Sequence, residues 1–438
     1  MSSTTFENST GSPVRTPREA EQEQRPLVRN WRTTITFSLL SLVLLVLVGL
    51  HAPESTVVFR LSDAGKTIHL GSLSFPAAVT GWGLGLVCAG IAVLSAGLTW
   101  RAQRISAWIG AIFWFCFVVA MLIWTVGHAS DNSLYLPGLL GGSLALAVPL
   151  IFGSMSGLLC ERSGVVNIAI EGQLLLGAFA AALVGTLSGS AWVGLIAAMI
   201  GGMLVSLILA SFSIRYLVNQ VIVGVVVNVL VTGLTGFLYS TVLQRDADSL
   251  NAPPRLPGFA IPGLSEIPVI GPVLFDQSVL VYLMYAVVFL IWFGLTKTPW
   301  GLRTRAVGEH PQAADTLGIT VNRLRFSNVL LAGAVAGMGG AFFTLVSVSA
   351  FNAEMTAGQG YIALAALIFG RWRPIGALGA ALLFGFATNL QSVLSLLGTS
   401  VPSQLLAMLP YLVTIAAVTG LVGRSRGPAA AGQPYVKE

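Results

Sequence analysis

The sequence predicts an all-α, polytopic membrane protein of about ten to twelve transmembrane or re-entrant helices. Charged residues make up only 9% of the chain and hydrophobic residues 55%, whereas a soluble domain carries about 25% charge. A soluble fold of this size could not cover its surface with so few charges. The apolar runs have helix length and lack dyad alternation, which excludes a β-barrel. Basic residues gather in alternate connecting segments, as they do in cytoplasmic loops.

In chain order, residues 1–34 are rich in Ser, Thr, Pro, Glu and Arg and are expected as a disordered cytoplasmic tail, not a signal peptide. Residues 35–126 hold the N-terminal helices and an extracytoplasmic loop, 51–76. In that loop Thr56–Leu61 and Thr67–Leu70 suggest a small hairpin. Gly65-Lys66-Thr67 is not a phosphate loop, because the earlier Gly position is Arg60. Residues 135–423 form a core with an extracytoplasmic loop at 244–277 and a cytoplasmic loop at 296–326, and 424–438 are a second cytoplasmic tail. Twelve apolar segments lie at 35–50, 78–98, 105–126, 135–158, 165–188, 191–212, 220–243, 278–295, 327–349, 356–370, 374–398 and 404–423. Of these, 165–188 and 356–370 are candidates for broken or re-entrant passage, so ten full crossings would also fit.

With a cytoplasmic N-terminus and twelve passages, only Arg60, Lys66, Arg245 and Arg255 fall outside; every other Lys and Arg falls inside. This predicts both termini in the cytoplasm. It also explains the net charge of +6 without a nucleic-acid partner.

The polar residues that interrupt the apolar runs are the candidate site. Glu161 to Ala178 places Glu161 and Arg162 between two apolar stretches, then Asn167, Glu171 and Gln173 inside the next. Asn167 and Glu171 are four apart, so they are expected to share one helical face. A carboxylate at membrane depth costs about 2.5–3.5 kcal/mol and so faces protein or a water-filled path. Two uses stay open: lining a path, or clamping a broken helix. Gly224, Asn228, Thr232, Thr235 and Tyr239 form one small and polar stripe on the 220–243 segment, suited either to a path or to a helix contact. An internal echo links Glu171-Gly172-Gln173 with Glu354 and Gly358-Gln359-Gly360, each ahead of a small-residue apolar run; such repeats place a transporter's site where two halves meet. Gly333 and Gly337, Gly153 and Gly157, and Gly81 and Gly85 are small-xxx-small pairs for close helix packing. Asn389 and Gln391 are too near each other for both to point inward.

Enzymatic motifs are absent from the sequence, so no catalytic or metal-ligating residue is assigned. Cys88, Cys116 and Cys160 are far apart within apolar segments and read as core residues. The Pro-rich loop 244–277 is expected to be ordered, with Ile261, Leu264, Ile267, Val269 and Ile270 packing on the bundle, as a cap or a docking surface. In the loop 296–326, Pro311 suits a helix start and Gly318 a helix stop. A two-turn helix, Pro311–Leu317, would carry Ala313 and Ala314. Alone in water it would be unstable, so it needs something to pack against.

Gly157–Gly172, with the segment Arg305–Ile319 and its continuation to Gly370, resembles the permeases of ATP-binding-cassette importers. The subfamily is the one that serves branched-chain amino acids, simple sugars and nucleosides, and the nucleoside type is the closest match. The resemblance covers about 135–420. It implies a type II-like importer permease fold and a bacterial cell membrane location. The implied partners are a second permease, a cytoplasmic ATPase that uses ATP and Mg, and an extracytoplasmic substrate-binding lipoprotein; this chain itself would hold no cofactor. Gln312-Ala313-Ala314 with Gly318 resembles the Glu-Ala-Ala-x-x-x-Gly coupling motif, with Gln312 in place of Glu. Glu309, His310, Gln312, Ala313, Ala314 and Gly318 are then expected at the ATPase. Asn167, Glu171, Asn228, Thr232 and Gln359 are expected along the substrate path, with Phe351 and Tyr361 as stacking faces. Simple sugars or branched-chain amino acids in the same machine, and an ion-coupled carrier, are the alternatives.

Overall fold

The computed structural model describes residues 31–50, 54–62, 70–103, 105–129, 131–397, 404, 408 and 426–437. The expected tail before residue 31 and nearly all of the 404–423 segment lie outside these residues. The elements run α1 (Arg32–Leu50), β1 (Thr56–Arg60), β2 (Leu73–Pro76), α2 (Ala77–Trp100), α3 (Ala107–Gly127), β3 (Ser133–Tyr135), α4 (Leu136–Arg162) and α5 (Ile170–Ser188). They continue with α6 (Ala191–Ala210), α7 (Gln220–Leu238), α8 (Ala247–Leu250), β4 (Gly258–Ala260), β5 (Asp276–Ser278), α9 (Val279–Lys297), α10 (Pro299–Glu309), α11 (Pro311–Thr316), α12 (Val321–Phe342), α13 (Gln359–Phe369) and α14 (Pro374–Leu396). π-helical turns extend α6 to Arg215, α7 to Leu243 and α12 to Ser347. Among the described residues, ten helices are long and apolar enough to cross a membrane. α13 is not one of them: 11 residues span about 16 Å, half of the hydrocarbon thickness.

Contacts divide the chain into two units, residues 1–51 with 81–121, and residues 52–80 with 122–438. In the first, Phe37 stacks on Phe113 with centroids 4.0 Å apart. Thr34 is buried, which carries α1 past the apolar run to Arg32: its Oγ1 lies 2.9 Å from Thr99 Oγ1. Cys88, Cys116 and Cys160 are free and buried, as core residues.

In the second unit α4 and α12 are the most enclosed helices, and α5, α6, α13 and α14 pack around them. Small residues set the spacing. A Cβ on Gly333 would stand 2.6 Å from Ser206 Cβ, and one on Gly177 would stand 2.7 Å from Gly337 Cα. The α5, α6 and α12 backbones are therefore in direct contact, as the small-xxx-small pairs predict. Asn389 points inward and donates to Leu139 O at 2.7 Å.

The loops are ordered by backbone links. β1 pairs antiparallel with β2, from Thr56 opposite Pro76 to Phe59 opposite Leu73, and parallel with β3. The described antiparallel partner of β1 is Leu73–Pro76; the expected Thr67–Leu70 strand lies, but for Leu70, outside the described residues. The Pro-rich loop is anchored by Leu256, whose N–H donates to Leu345 O at 2.9 Å. Asn251 is the second anchor, exchanging hydrogen bonds with the Phe351 backbone. Of the five apolar residues expected to pack on the bundle, Ile261 and Val269 are partly buried, while Leu264, Ile267 and Ile270 are exposed.

Candidate functional site

Two helices begin inside the second unit, each after a non-helical stretch, and they begin against each other. α4 ends at Arg162; residues 163–169 are non-helical, with Gly164 at φ +91, and α5 starts at Ile170. α13 starts at Gln359 after Gly358, at φ +80. The first N–H groups of a helix have no partner inside it and carry the positive end of its dipole. Glu171 meets that need. Its Oε1 accepts from Thr356 Oγ1 at 2.6 Å and from Gly358 N at 2.8 Å, and its Oε2 accepts from Gly360 N at 2.6 Å. Glu171 is 8% exposed, and the desolvation of its carboxylate is offset by these charge-assisted bonds. Gly360 has no room for a side chain, since a Cβ would lie 2.6 Å from Glu171 Cα. The echo of Glu171-Gly172-Gln173 and Gly358-Gln359-Gly360 is therefore a spatial juxtaposition.

Asn228 on α7 holds the first break. Its Oδ1 accepts from Gly172 N at 2.9 Å, while Nδ2 donates to Ile168 O at 2.8 Å and to Tyr361 Oη at 3.1 Å. One turn earlier, Gly224 lets the backbone of Ile168 and Ala169 approach α7. Asn167 does not share a helical face with Glu171, because it lies in the break before α5 begins. It is fully buried and donates to Ser156 Oγ at 3.2 Å and Gln173 Oε1 at 3.0 Å; Gln173 in turn donates to Ser206 Oγ at 2.8 Å. This closed polar knot ties α4, the break, α5 and α6 together.

A cavity of about 520 Å³ opens beside the meeting point. Glu171, Asn228, Thr232, Tyr361, Glu354 and Thr356 line it with Leu175, Val229, Gly233, Ala357 and Gly358. Its volume is that of a small-molecule site, and no Lys, Arg or His lines it among the described residues. The structure thus brings Glu171, Asn228, Thr232 and Tyr361 together at one surface. It does not bring Asn167 or Gln359 there: the Gln359 Oε1 is buried without a hydrogen-bond partner among the described residues. Phe351 is fully buried against Phe179 and Tyr239, so it offers no free stacking face. Glu354 and Thr356 are additions.

The C-terminal end of α4, just before the break, carries a second cluster. Arg162 donates from Nε and Nη2 to Trp372 O at 3.0 and 2.5 Å, and Trp372 Nε1 donates to the Glu161 carboxylate. α10 is capped by Thr298, whose Oγ1 accepts from Gly301 N at 3.3 Å. α11 follows, and Gly318 takes φ +80 beyond it, as its role as a stop requires. Gln312, Ala313, Glu309, His310 and Gly318 are exposed, and Leu317 is 80% exposed. Ala314 is not: it is 2% exposed and packs with Val307, Val321 and Tyr435. Neighbouring positions on a helix point about 100° apart, so Ala313 faces out while Ala314 faces the bundle.

The family model described as "branched-chain amino acid transport system / permease component" matches residues 139–422. The chain is 43% identical over 304 residues to the guanosine ABC transporter permease protein NupQ of Bacillus subtilis, covering 67% of this chain and 95% of that protein. It is 38% identical to the nucleoside ABC transporter permease protein NupC of Lactococcus lactis, over 67% and 95% of the two chains. It is 33% identical to the putative glucose ABC transporter permease protein TsgC13 of Haloferax volcanii, over 69% and 98%. A second guanosine permease from the same Bacillus, NupP, is similar at 29%, and a second nucleoside permease from the same Lactococcus, NupB, at 24%. No solved structure matches the chain. The chain belongs to the permease family of branched-chain amino acid-type transport systems and is a multi-pass membrane protein.

Proposed function

We propose that this chain is one of two permease subunits of an ATP-driven importer of nucleosides. The carrying observation is the cavity where α5, α7 and α13 meet, in a chain most of whose length is similar to guanosine and nucleoside permeases. Asn228 and Thr232 offer donors and acceptors for ribose hydroxyls or base edges, and Tyr361 offers a ring that a base can stack on. Glu171 is held by three protein donors, which supports a structural role: it fixes the two helix starts that wall the cavity. Asn167 does the same from behind the break. Two carboxylates and no basic side chain at the cavity favour an uncharged solute over a phosphorylated one.

The second permease is inferred from the paired names among the relatives. A cytoplasmic ATPase using ATP and Mg, and an extracytoplasmic binding lipoprotein, complete the machine. The exposed surface of α11, with Ala313 at its centre, is the site read as docking on the ATPase. The excess of Lys and Arg near α10, α11 and Trp372 supports a cytoplasmic position for this end and for both termini. A sugar importer is the second reading, carried by the similarity to the putative glucose permease. The test is uptake of labelled guanosine and labelled glucose in cells with and without this chain. Loss of guanosine uptake alone supports the nucleoside reading, and loss of glucose uptake alone replaces it.

A further inference from the structure

The chain after residue 425 returns to α10, α11 and the first break. Ala430 N donates to Gly308 O at 2.9 Å, and Gly432 N donates to Gly164 O at 3.2 Å. Ala429 N donates to Glu309 Oε2 at 3.2 Å. Arg325, only 2% exposed, donates from Nη1 to Gln433 O at 2.9 Å and from Nε to Ser163 O at 3.1 Å. Tyr435 is buried with Val307, Ala314 and Val321, and Lys437 pairs with Asp315 at 3.8 Å. The exposed ion pair contributes little; the backbone bonds and the Tyr435 ring carry the attachment. One short segment therefore touches α11 through Ala314 and Asp315, α10 through Gly308 and Glu309, the break through Gly164, and α12 through Arg325.

We propose that residues 428–437 are a positioning strap for α11. A six-residue helix is unstable unless something holds it. Tyr435 packs on its inner face, while Gly432, two residues before Pro434, is bonded to Gly164 at the start of the 163–169 break. The other end of that break, Ile168, is held by Asn228 at the cavity. A displacement of α11 is thereby passed to the segment that walls the cavity, in place of being lost in a loose loop. The coupling part of this proposal rests on the reading of α11 as the ATPase contact; the strap itself does not.

The test removes residues 428–438 from the full-length chain, with Tyr435→Ala as the milder variant where truncation lowers the membrane level. Amide hydrogen exchange over 308–318 in the purified chain reads the strap. Uptake per ATP hydrolysed, in cells carrying the partner permease and ATPase, reads coupling. We expect exchange to rise by at least about tenfold and uptake per ATP to fall several-fold while the complex still assembles. Tyr435→Phe, which keeps the ring, should retain both. Unchanged exchange would overturn the strap whatever the importer does. Raised exchange with full uptake per ATP would show that the strap holds α11 without transmitting its motion, and would also overturn the proposal. If uptake by the unaltered chain proved independent of ATP, the reading of α11 would fail alone, and the exchange measurement would still decide the strap.

Discussion

Glu171 and Gly360 stand at the starts of two helices that abut, with the Glu171 Oε2 accepting the Gly360 N–H at 2.6 Å. One side chain thereby caps a helix that begins about 190 positions later in the chain, and the cavity lies beside that joint. The first prediction concerns this cap. Glu171→Ala leaves Thr356 Oγ1 and the Gly358 and Gly360 N–H groups without their acceptor, at about 1–3 kcal/mol for each group that stays buried and unpaired. The variant should melt well below the parent in detergent. Glu171→Gln, which keeps an acceptor oxygen, should melt between the two. An unchanged melting temperature with only a changed KM would make Glu171 a substrate ligand and not a clamp.

Tyr361 should separate its ring from its hydroxyl. Tyr361→Phe loses the bond from Asn228 and keeps the face, so guanosine uptake should stay close to that of the parent. Tyr361→Ala should weaken substrate interaction by about 1–3 kcal/mol, the usual worth of a base on an aromatic platform. Competition of unlabelled guanosine against labelled uptake measures both.

The charge of the cavity predicts selectivity. Glu171 and Glu354 line it without a basic side chain, so a nucleoside 5′-monophosphate meets like charge. Excess guanosine should suppress labelled uptake, and excess guanosine monophosphate should not. Glu354→Gln should lessen the discrimination, because Glu354 is exposed and makes no part of the cap on α13.

Helix spacing gives a fourth expectation. Gly333→Ala would place a methyl 2.6 Å from Ser206 Cβ, forcing α6 and α12 apart at a cost of about 1–3 kcal/mol. Thermal unfolding should detect the loss. Ala313→Trp, on an exposed position of α11, should leave the melting temperature unchanged while abolishing ATP-driven uptake. Ala314→Trp should destabilise the chain itself, since Ala314 is 2% exposed.

Much of the helical layout was legible because each crossing is a long apolar run, and lipid leaves the backbone no alternative to a helix there. The clamp at Glu171 was only half legible. The residue stood out, but Thr356, Gly358 and Gly360 lie 185–189 positions away, and nothing local names them. Asn167 was read on a helix because no Pro marks the break before it; only Gly164, with its positive φ, does so. Phe351 was read as a free face because an aromatic at a helix end looks the same whether it is exposed or buried. The return of residues 428–437 was illegible for a different reason: nearly all its bonds use backbone N–H and C=O groups, which every sequence has. The motif at 312–318 was legible as a helix and a stop, but not in which alanine faces out.

The central claim is that this chain carries nucleosides only as part of an ATP-driven machine. Its most direct test is labelled guanosine uptake into proteoliposomes holding this chain, the second permease and the ATPase, with the binding protein outside and ATP with Mg inside. The account predicts accumulation that requires ATP, requires both permeases and survives a protonophore. Accumulation by this chain alone, driven by an ion gradient and indifferent to ATP, would contradict it.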